Sequence, residues 1–334
     1  MFSLTLRALL SIATPASLLL VAACSGNSMP SSAIPAAPLS DVVSRSNAPA
    51  NDFQLNKKFT FKTFDDQADP TFNQLLGVND HGIIAGYFGS GASGHPNQGY
   101  TIVAPYGQAN YTNENYPGSV QTQVTAIDNK GNTAGFWVDS KMVNRGFIEW
   151  NGVFTSYRDP RTGHGTVNQI LGLNDAGTAV GFYTDAKGNS HGFTLNQATG
   201  QFDGLVPPGG GSVVAAGINN EGDVVGFVTS NSGTTSSFLK TGKRFSALSF
   251  PGGSDTQAFG INDNDQIVGS YLDGSGALHG FLLSNPLTHA KWKSIDDPNG
   301  IGSTVVNGLN NQGVLVGFYT DAAGNTDGML VMTP

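Results

Sequence analysis

The sequence predicts an all-β protein, a six-bladed β-propeller of four-stranded blades, and three observations carry that reading. Its 334 residues include 45 Gly and 20 Phe but only 12 % charged residues, which suits many short strands joined by tight turns rather than long exposed helices. One unit recurs six times along the chain, as repeat architectures do. The first copy is preceded by a strand-like fragment that the last copy lacks, as closure of a ring requires.

Residues 1–23 read as a signal peptide. Arg7 is the only charge before an apolar run, Ala8 to Ala23, that Pro15 interrupts and that is short for a membrane span. The run ends Leu20-Val21-Ala22-Ala23-Cys24, which resembles the bacterial lipobox, whose thiol is lipidated and becomes the first residue of the mature chain. Ser25 follows Cys24; the resemblance then implies an exported outer-membrane lipoprotein, facing the periplasm or the surface. Cys24 is the sole cysteine, so no disulfide forms within the chain. Residues 24–57, rich in Ser, Pro and Ala, cannot bury enough apolar surface to fold and are expected to be a lipidated flexible tether. The propeller is expected over 58–334.

The fragment "FTFKTFDD", residues 59–66, reads as the strand that completes the sixth blade. After it the motif appears as "GVNDHGIIAGYF" from Gly77, "AIDNKGNTAGFW" from Ala126, "GLNDAGTAVGFY" from Gly172, "GINNEGDVVGFV" from Gly217, "GINDNDQIVGSY" from Gly260 and "GLNNQGVLVGFY" from Gly308. Its Asn or Asp falls at 79, 128, 174, 219, 262 and 310. Each copy divides into four short apolar runs bounded by Asn, Asp and Gly, which read as strands. In the third copy these are "NQILGL", "TAVGFYT", "HGFTLN" and "QFDGLV". Four strands every 40 to 50 residues mark a propeller blade. The last copy stops after its third strand, "GMLVMTP", so the amino-terminal strand supplies the fourth.

Several tempting motifs dissolve on inspection. Counted as a calcium loop from Asp263, Ile267 falls at position five, Val268 at six and Gly274 at twelve, where oxygen ligands and a glycine belong. The Asn-Asp corners instead have the chemistry of hairpin turns. Gly89 to Gly94 spells GxGxxG without the strand-to-helix context that gives that motif meaning; it reads as an enlarged hairpin loop of blade 1. His191 and His279 sit in "HGF", where Arg145, Ser237 and Asp327 take the same place in other copies, which suits a strand start better than a metal ligand. The aromatic pairs Phe136-Trp137, Phe182-Tyr183 and Phe318-Tyr319 read as blade-to-blade packing. No GxSxG, HExxH or CxxC occurs, and lipidation would consume the only thiol.

The stretch "GINDNDQIVGSYLDGSGALHGFLL" from Gly260 resembles the bacterial extracellular HAF repeat, and the resemblance covers nearly everything after residue 58. It implies export and repetition, and no reaction.

In a four-stranded meander, the first-to-second and third-to-fourth loops share one rim. The second-to-third loops and the blade connections share the other. The Asn-Asp corners belong to the first, short-looped rim. The second rim is long and variable, and loops of that kind on a rigid ring are where binding usually lives. It carries Asp139, Asp185, Asp273 and Asp321 in the within-blade turns, and Arg158, Arg161 and His164 in one blade connection. Those seven are the candidate ligand-binding residues, with Cys24 the lipidation site. The four carboxylates are either turn formers or a ring of oxygens around the channel mouth.

A net charge of -8 without any basic cluster argues against nucleic acid. The expected function is a non-catalytic binding or scaffold module, monomeric, held at the membrane by its lipid and taking a glycan or envelope protein through the variable rim. No catalytic residue, metal ligand or cofactor is expected. The open alternative is a calcium-type hydrolase, lactonase or polysaccharide lyase with a divalent cation at the central channel, an analogy of fold alone.

Overall fold

Asn, Asp and Gly at the corners leave apolar runs too short for helices, and the chain resolves them into strands. A computed structural model describes residues 59–163 and 167–333. The signal-peptide and tether readings, Cys24 and His164 lie outside the described residues. Strand β1 (Thr60–Thr63) precedes blade 1, which comprises β2 (Asn73–Val78), β3 (Ile84–Phe88), β4 (Gln98–Ile102) and β5 (Tyr111–Asn113). Blade 2 contains β6 (Gln121–Ile127), β7 (Thr133–Val138), β8 (Asn144–Trp150) and β9 (Val153–Tyr157). In blade 3 are β10 (Asn168–Leu173), β11 (Thr178–Thr184), β12 (Ser190–Asn196) and β13 (Gln201–Leu205). Blade 4 holds β14 (Ser212–Ile218), β15 (Val224–Thr229), β16 (Thr235–Thr241) and β17 (Arg244–Leu248). Next come β18 (Ser254–Ile261), β19 (Ile267–Leu272), β20 (Leu278–Ser284) and β21 (Lys291–Ile295) of blade 5. Blade 6 has β22 (Thr304–Leu309), β23 (Val314–Thr320) and β24 (Thr326–Met332).

The sheet order β1-β24-β23-β22 closes the ring as the sequence implied. Thr60 pairs with Met332 and Thr63 with Met329, so both ends of the described chain share one blade. Every sheet has four antiparallel strands, and β1 covers the edge that β24 would otherwise leave open, itself becoming the outer strand of the blade.

Each innermost strand carries a bulge at the same point. The register slips between Leu75 and Gly77, Val124 and Ala126, Ile170 and Gly172, Ala215 and Gly217, Ala258 and Gly260, and Val306 and Gly308. A bulge inserts one residue and re-aims its side chain. Those inserted residues, Leu76, Thr125, Leu171, Ala216, Phe259 and Asn307, line a central cavity of about 100 Å³. In five blades a glycine follows the bulge, with Ala126 in its place in blade 2, and it lets neighbouring blades meet: a Cβ on Gly217 would sit 2.7 Å from Phe259 O, and one on Gly308 2.6 Å from Leu76 O. A second glycine crosses behind the bulge, and a Cβ on Gly317 would overlap the Val305 carbonyl oxygen.

The core lies between blades. The residues Tyr100, Phe147, Phe193, Phe238, Phe281 and Met329 occupy one register position and are 0–3 % exposed; full burial of such a side chain contributes about 2–3 kcal/mol. Phe136, Phe182, Phe227 and Phe318 pack together around the axis instead. The aromatic pairs therefore split, one ring toward the axis and its neighbour toward a blade junction. One register reading needs correction: Val228 faces Ser236, as Tyr183 faces His191, so Ser236 rather than Ser237 shares the histidine position. Ser237 takes the place of the following glycine.

The loop over Gly89–Gly94 lies between β3 and β4, with Gly91 N–H donating to His95 O at 2.8 Å, a hairpin loop as expected. At the Asn-Asp corners the fourth residue has positive φ, from 74° at Gly82 to 86° at Gly131, and blade 5 manages it with Asp265 at 56°. Asp, like Asn, tolerates that region at modest cost.

Candidate functional site

The short-looped rim is more than a set of corners. The second turn residue alternates around the ring as Asp80, Asn129, Asp175, Asn220, Asp263, Asn311, and these six side chains meet at the channel mouth. Each backbone N–H donates to the next blade's Oδ1, from Asp80 to Asn129 at 2.8 Å round to Asn311 to Asp80 at 2.8 Å. Each Asn Nδ2 donates to the Oδ2 atoms of both flanking carboxylates, at 2.8–3.2 Å. An amide NH2 has two hydrogens and a carboxylate only acceptors, so strict alternation satisfies every donor.

One residue earlier, Asn79, Asn174, Asn219, Asn262 and Asn310 each donate Nδ2 to the next blade's backbone carbonyl, at 3.0–3.3 Å. Asp128 breaks this second ring because it has no donor; it turns inward to accept Asn132 Nδ2 at 2.7 Å. Burial pushes the Asp128 carboxyl above its ordinary range, against hydrogen bonds from Asn132. Three carboxylates thus converge at the axis, on the rim opposite to the expected one, and all are consumed by neighbouring blades. This ring is a clasp.

On the long-looped rim, Asp139, Asp185, Asp273 and Asp321 belong to four different blades, and each first serves its own turn. Their Oδ1 atoms accept N–H pairs from Lys141 and Val143, Lys187 and Asn189, Ser275 and Ala277, and Ala323 and Asn325, at 2.8–3.0 Å. Their Oδ2 atoms find different partners: Arg145 at 3.6 Å, His191 at 3.0 Å, His279 at 3.3 Å and Asn325 at 3.0 Å. The hydrogen bonds hold all four carboxyls below their ordinary range, led by the Val143 N–H for Asp139, the His191 ring for Asp185, the Ser275 hydroxyl for Asp273 and the Asn325 N–H for Asp321. They stay ionised. The structure records no contact that joins them into a ring of oxygens.

What they do form is a series of side sites at the blade junctions. In blade 3 the Tyr183 ring is stacked by His191 at 5.0 Å, and the Arg161 guanidinium lies 5.2 Å from its centre. Arg161 is anchored by Nε and Nη2 bonds of 2.8 and 2.6 Å to Asp159, whose own side chain is wholly buried. Arg158 is turned to its own loop, donating Nη2 to Gly163 O at 2.7 Å. In blade 5, Tyr271 stacks on Phe250 at 3.6 Å and on His279 at 5.3 Å. His279 bridges Asp273 and, through Nδ1 at 2.7 Å, Asp296. Burial opposes charge on this imidazole, but the Asp296 and Asp273 carboxylates raise its pKa above the ordinary value. Side-chain exposures of 42 % for His191, 38 % for Asp273 and 48 % for Asp296 leave their edges open to a ligand.

At the seam of blade 6 a different cluster gathers. Burial, with Asp327 and Asp321 nearby, pushes Asp65 up to about 6, and burial also raises Asp327 and Asp297. Asp65 Oδ1 accepts Gly328 N–H at 3.0 Å.

Sequence reasoning missed the alternating ring, Asp296 and the Asp159–Arg161 pair. The first was visible once the six copies were aligned, as Asp and Asn exchanging at one column. The others depend on which face of a connection a side chain takes, which no spacing encodes. Among the described residues, no group of three or more His, Cys, Asp or Glu is arranged to hold a metal ion.

No family model and no curated protein sequence matches this chain. Solved structures do. A TolB structure from Agrobacterium tumefaciens superposes with a TM-score of 0.54 at 8 % identity, over 83 % of this chain and 98 % of the other. A variant of the Aleuria aurantia lectin, in complex with Fucα1-6GlcNAc, gives 0.51 at 12 % identity over 78 % and 91 %. A variant of AofleA from Arthrobotrys oligospora gives 0.50 at 10 % identity over 82 % and 86 %. At such identities the likeness is one of fold.

Proposed function

We propose that this propeller is a non-catalytic binding module of the bacterial envelope, held through a lipid on Cys24, whose long-looped rim takes a glycan. One observation carries the reading: the two rims use their polar groups in opposite ways. At the channel mouth the short rim spends its six Asp and Asn side chains on one another. On the long rim, ionised carboxylates stand beside imidazole, amide and guanidinium donors with exposed edges, in repeated sites at blades 3 and 5. Paired acceptors and donors of this kind match the vicinal hydroxyls of a sugar ring. The lectin that shares the fold holds a fucosyl disaccharide in its structure, which agrees with this reading without supplying it.

The channel offers the metal-hydrolase reading little. Its six inserted side chains include no carboxylate, and the mouth carboxylates are taken. The test is an oligosaccharide array probed with the full-length chain, run beside turnover assays on lactone, ester and uronic-acid polymers. Glycan binding without turnover is expected. Turnover that a single rim substitution abolishes would establish the enzyme reading instead.

A further inference from the structure

The connections leading into blades 3 and 6 have the same frame. Asp159 and Asp297 both accept, on Oδ1, the N–H two residues on, from Arg161 at 2.8 Å and from Asn299 at 2.9 Å. Both backbone carbonyls accept the N–H three residues on, from Thr162 at 3.0 Å and from Gly300 at 2.9 Å. The next residue then ties to the blade's second strand, Gly163 to Thr184 O at 3.1 Å and Ile301 to Thr320 O at 2.8 Å. Each acid acts on the tyrosine at the same register, Tyr183 and Tyr319.

Their second oxygens differ. Asp159 Oδ2 accepts Arg161 Nη2 at 2.6 Å, and that guanidinium lies over Tyr183. Blade 6 has Asn299 where blade 3 has Arg161, and Asp297 Oδ2 is buried with no hydrogen-bond partner, in a residue only 3 % exposed. A buried carboxylate without a partner is costly. The charges that act on Asp327 include Asp321 and Asp297, those that act on Asp65 include Asp327 and Asp321, and the imidazole of His279 is held by Asp296 and Asp273. The register position that holds His191 in blade 3 holds Asp327 here, which adds to the negative charge.

We propose that the junction of blades 5 and 6 binds a guanidinium cation, which takes the place at Asp297 and Tyr319 that Arg161 fills at Asp159 and Tyr183. A planar fork of N–H donors suits a carboxylate and an aromatic face together, and the protein already shows that arrangement once. The assignment rests on the long rim being its ligand face, and names the chemistry of one site there that is separate from the blade 3 and blade 5 sites.

Isothermal titration calorimetry on the full-length chain tests it, with N-acetyl-arginine amide, its neutral citrulline isostere and a short arginine-containing peptide. Saturable binding of the guanidinium compound is expected, with none for the citrulline analogue. Tighter binding of the peptide would identify the source as a protein side chain, and equal affinity a small guanidine. Asn299→Arg fills the site from within, so it should abolish binding and raise Tm by about 2–4 °C. Asp297→Asn should weaken binding about tenfold to 100-fold. No saturable binding, or binding unchanged in both variants, overturns the proposal and leaves water as the partner of Oδ2. Arginine binding that persists while no glycan binds would instead sink the glycan reading alone.

Discussion

Asn311 closes the axial ring between blade 6 and blade 1, and replacing it by Asp changes little but charge. Its Nδ2 donates to Asp80 and Asp263 at 2.8 and 2.9 Å, and its Oδ1 accepts the Asp263 N–H at 2.9 Å. Asn311→Ala removes all three bonds, at about 1 kcal/mol each, a loss of about 3 kcal/mol. Asn311→Asp keeps the acceptor but loses both donors, about 2 kcal/mol. It also sets a third carboxylate against two others, at about 1.4 kcal/mol per pair even with water-like screening. The total is about 5 kcal/mol, a large part of the stability of a typical domain. The pH dependence has a definite sign. Two flanking carboxylates raise the new group's folded pKa above its unfolded value, so stability is retained below the unfolded pKa and lost as pH rises through the folded one. Urea denaturation followed by tryptophan fluorescence should therefore rank Asn311→Asp below Asn311→Ala at pH 7, with the gap closing near pH 4. Equal stability of the two at pH 7, or a gap indifferent to pH, would refute the ring as an alternating charge-and-amide clasp.

Other substitutions test the rest of the frame. Gly317→Ala drives a Cβ into the Val305 carbonyl and should cost about 3 kcal/mol or more, whereas Gly276→Ala, with φ of 86° and nothing within 4 Å, should cost about 1 kcal/mol; thermal melts compare them. Asp65→Asn should leave stability unchanged near pH 4 and raise it at pH 7, because burial beside Asp327 and Asp321 raises the native carboxyl to about 6, so native stability falls as pH rises through that value. Arg161→Ala strands the buried Asp159 carboxylate and should cost about 2–3 kcal/mol, near the lower end for broken buried pairs because the guanidinium is half exposed; chemical denaturation measures it.

The blade count, the strand order and the closing strand were legible because they depend on spacing and turn chemistry alone. Asn174-Asp175-Ala176-Gly177 announces a hairpin wherever it falls, and β1 is recognisable because blade 6 lacks a fourth strand. The candidate sites were legible only in part. Asp185 and Asp273 do lie on the long rim, each beside a histidine, yet they serve separate blade junctions rather than one channel mouth. Their radius depends on the twist of each blade, a property of paired strands that one strand's sequence does not display. Asp80, Asp175 and Asp263 converge because each lies at the corner that ends an innermost strand, and those corners share one mouth. Ser236 was misplaced by one residue for a related reason, since "SSF" has no glycine to mark the register.

The division of labour between the rims is best tested by measuring affinity for the tightest oligosaccharide found on the array, in two pairs of variants. Asp273→Ala with His279→Ala alters the long rim, and Glu221→Ala with Asn264→Ala alters exposed corners of the short rim. The first pair should weaken binding about tenfold or more, through loss of charge-assisted hydrogen bonds, and the second should leave it unchanged. Loss of binding in the short-rim pair, with full affinity in the long-rim pair, would contradict the assignment of the ligand face.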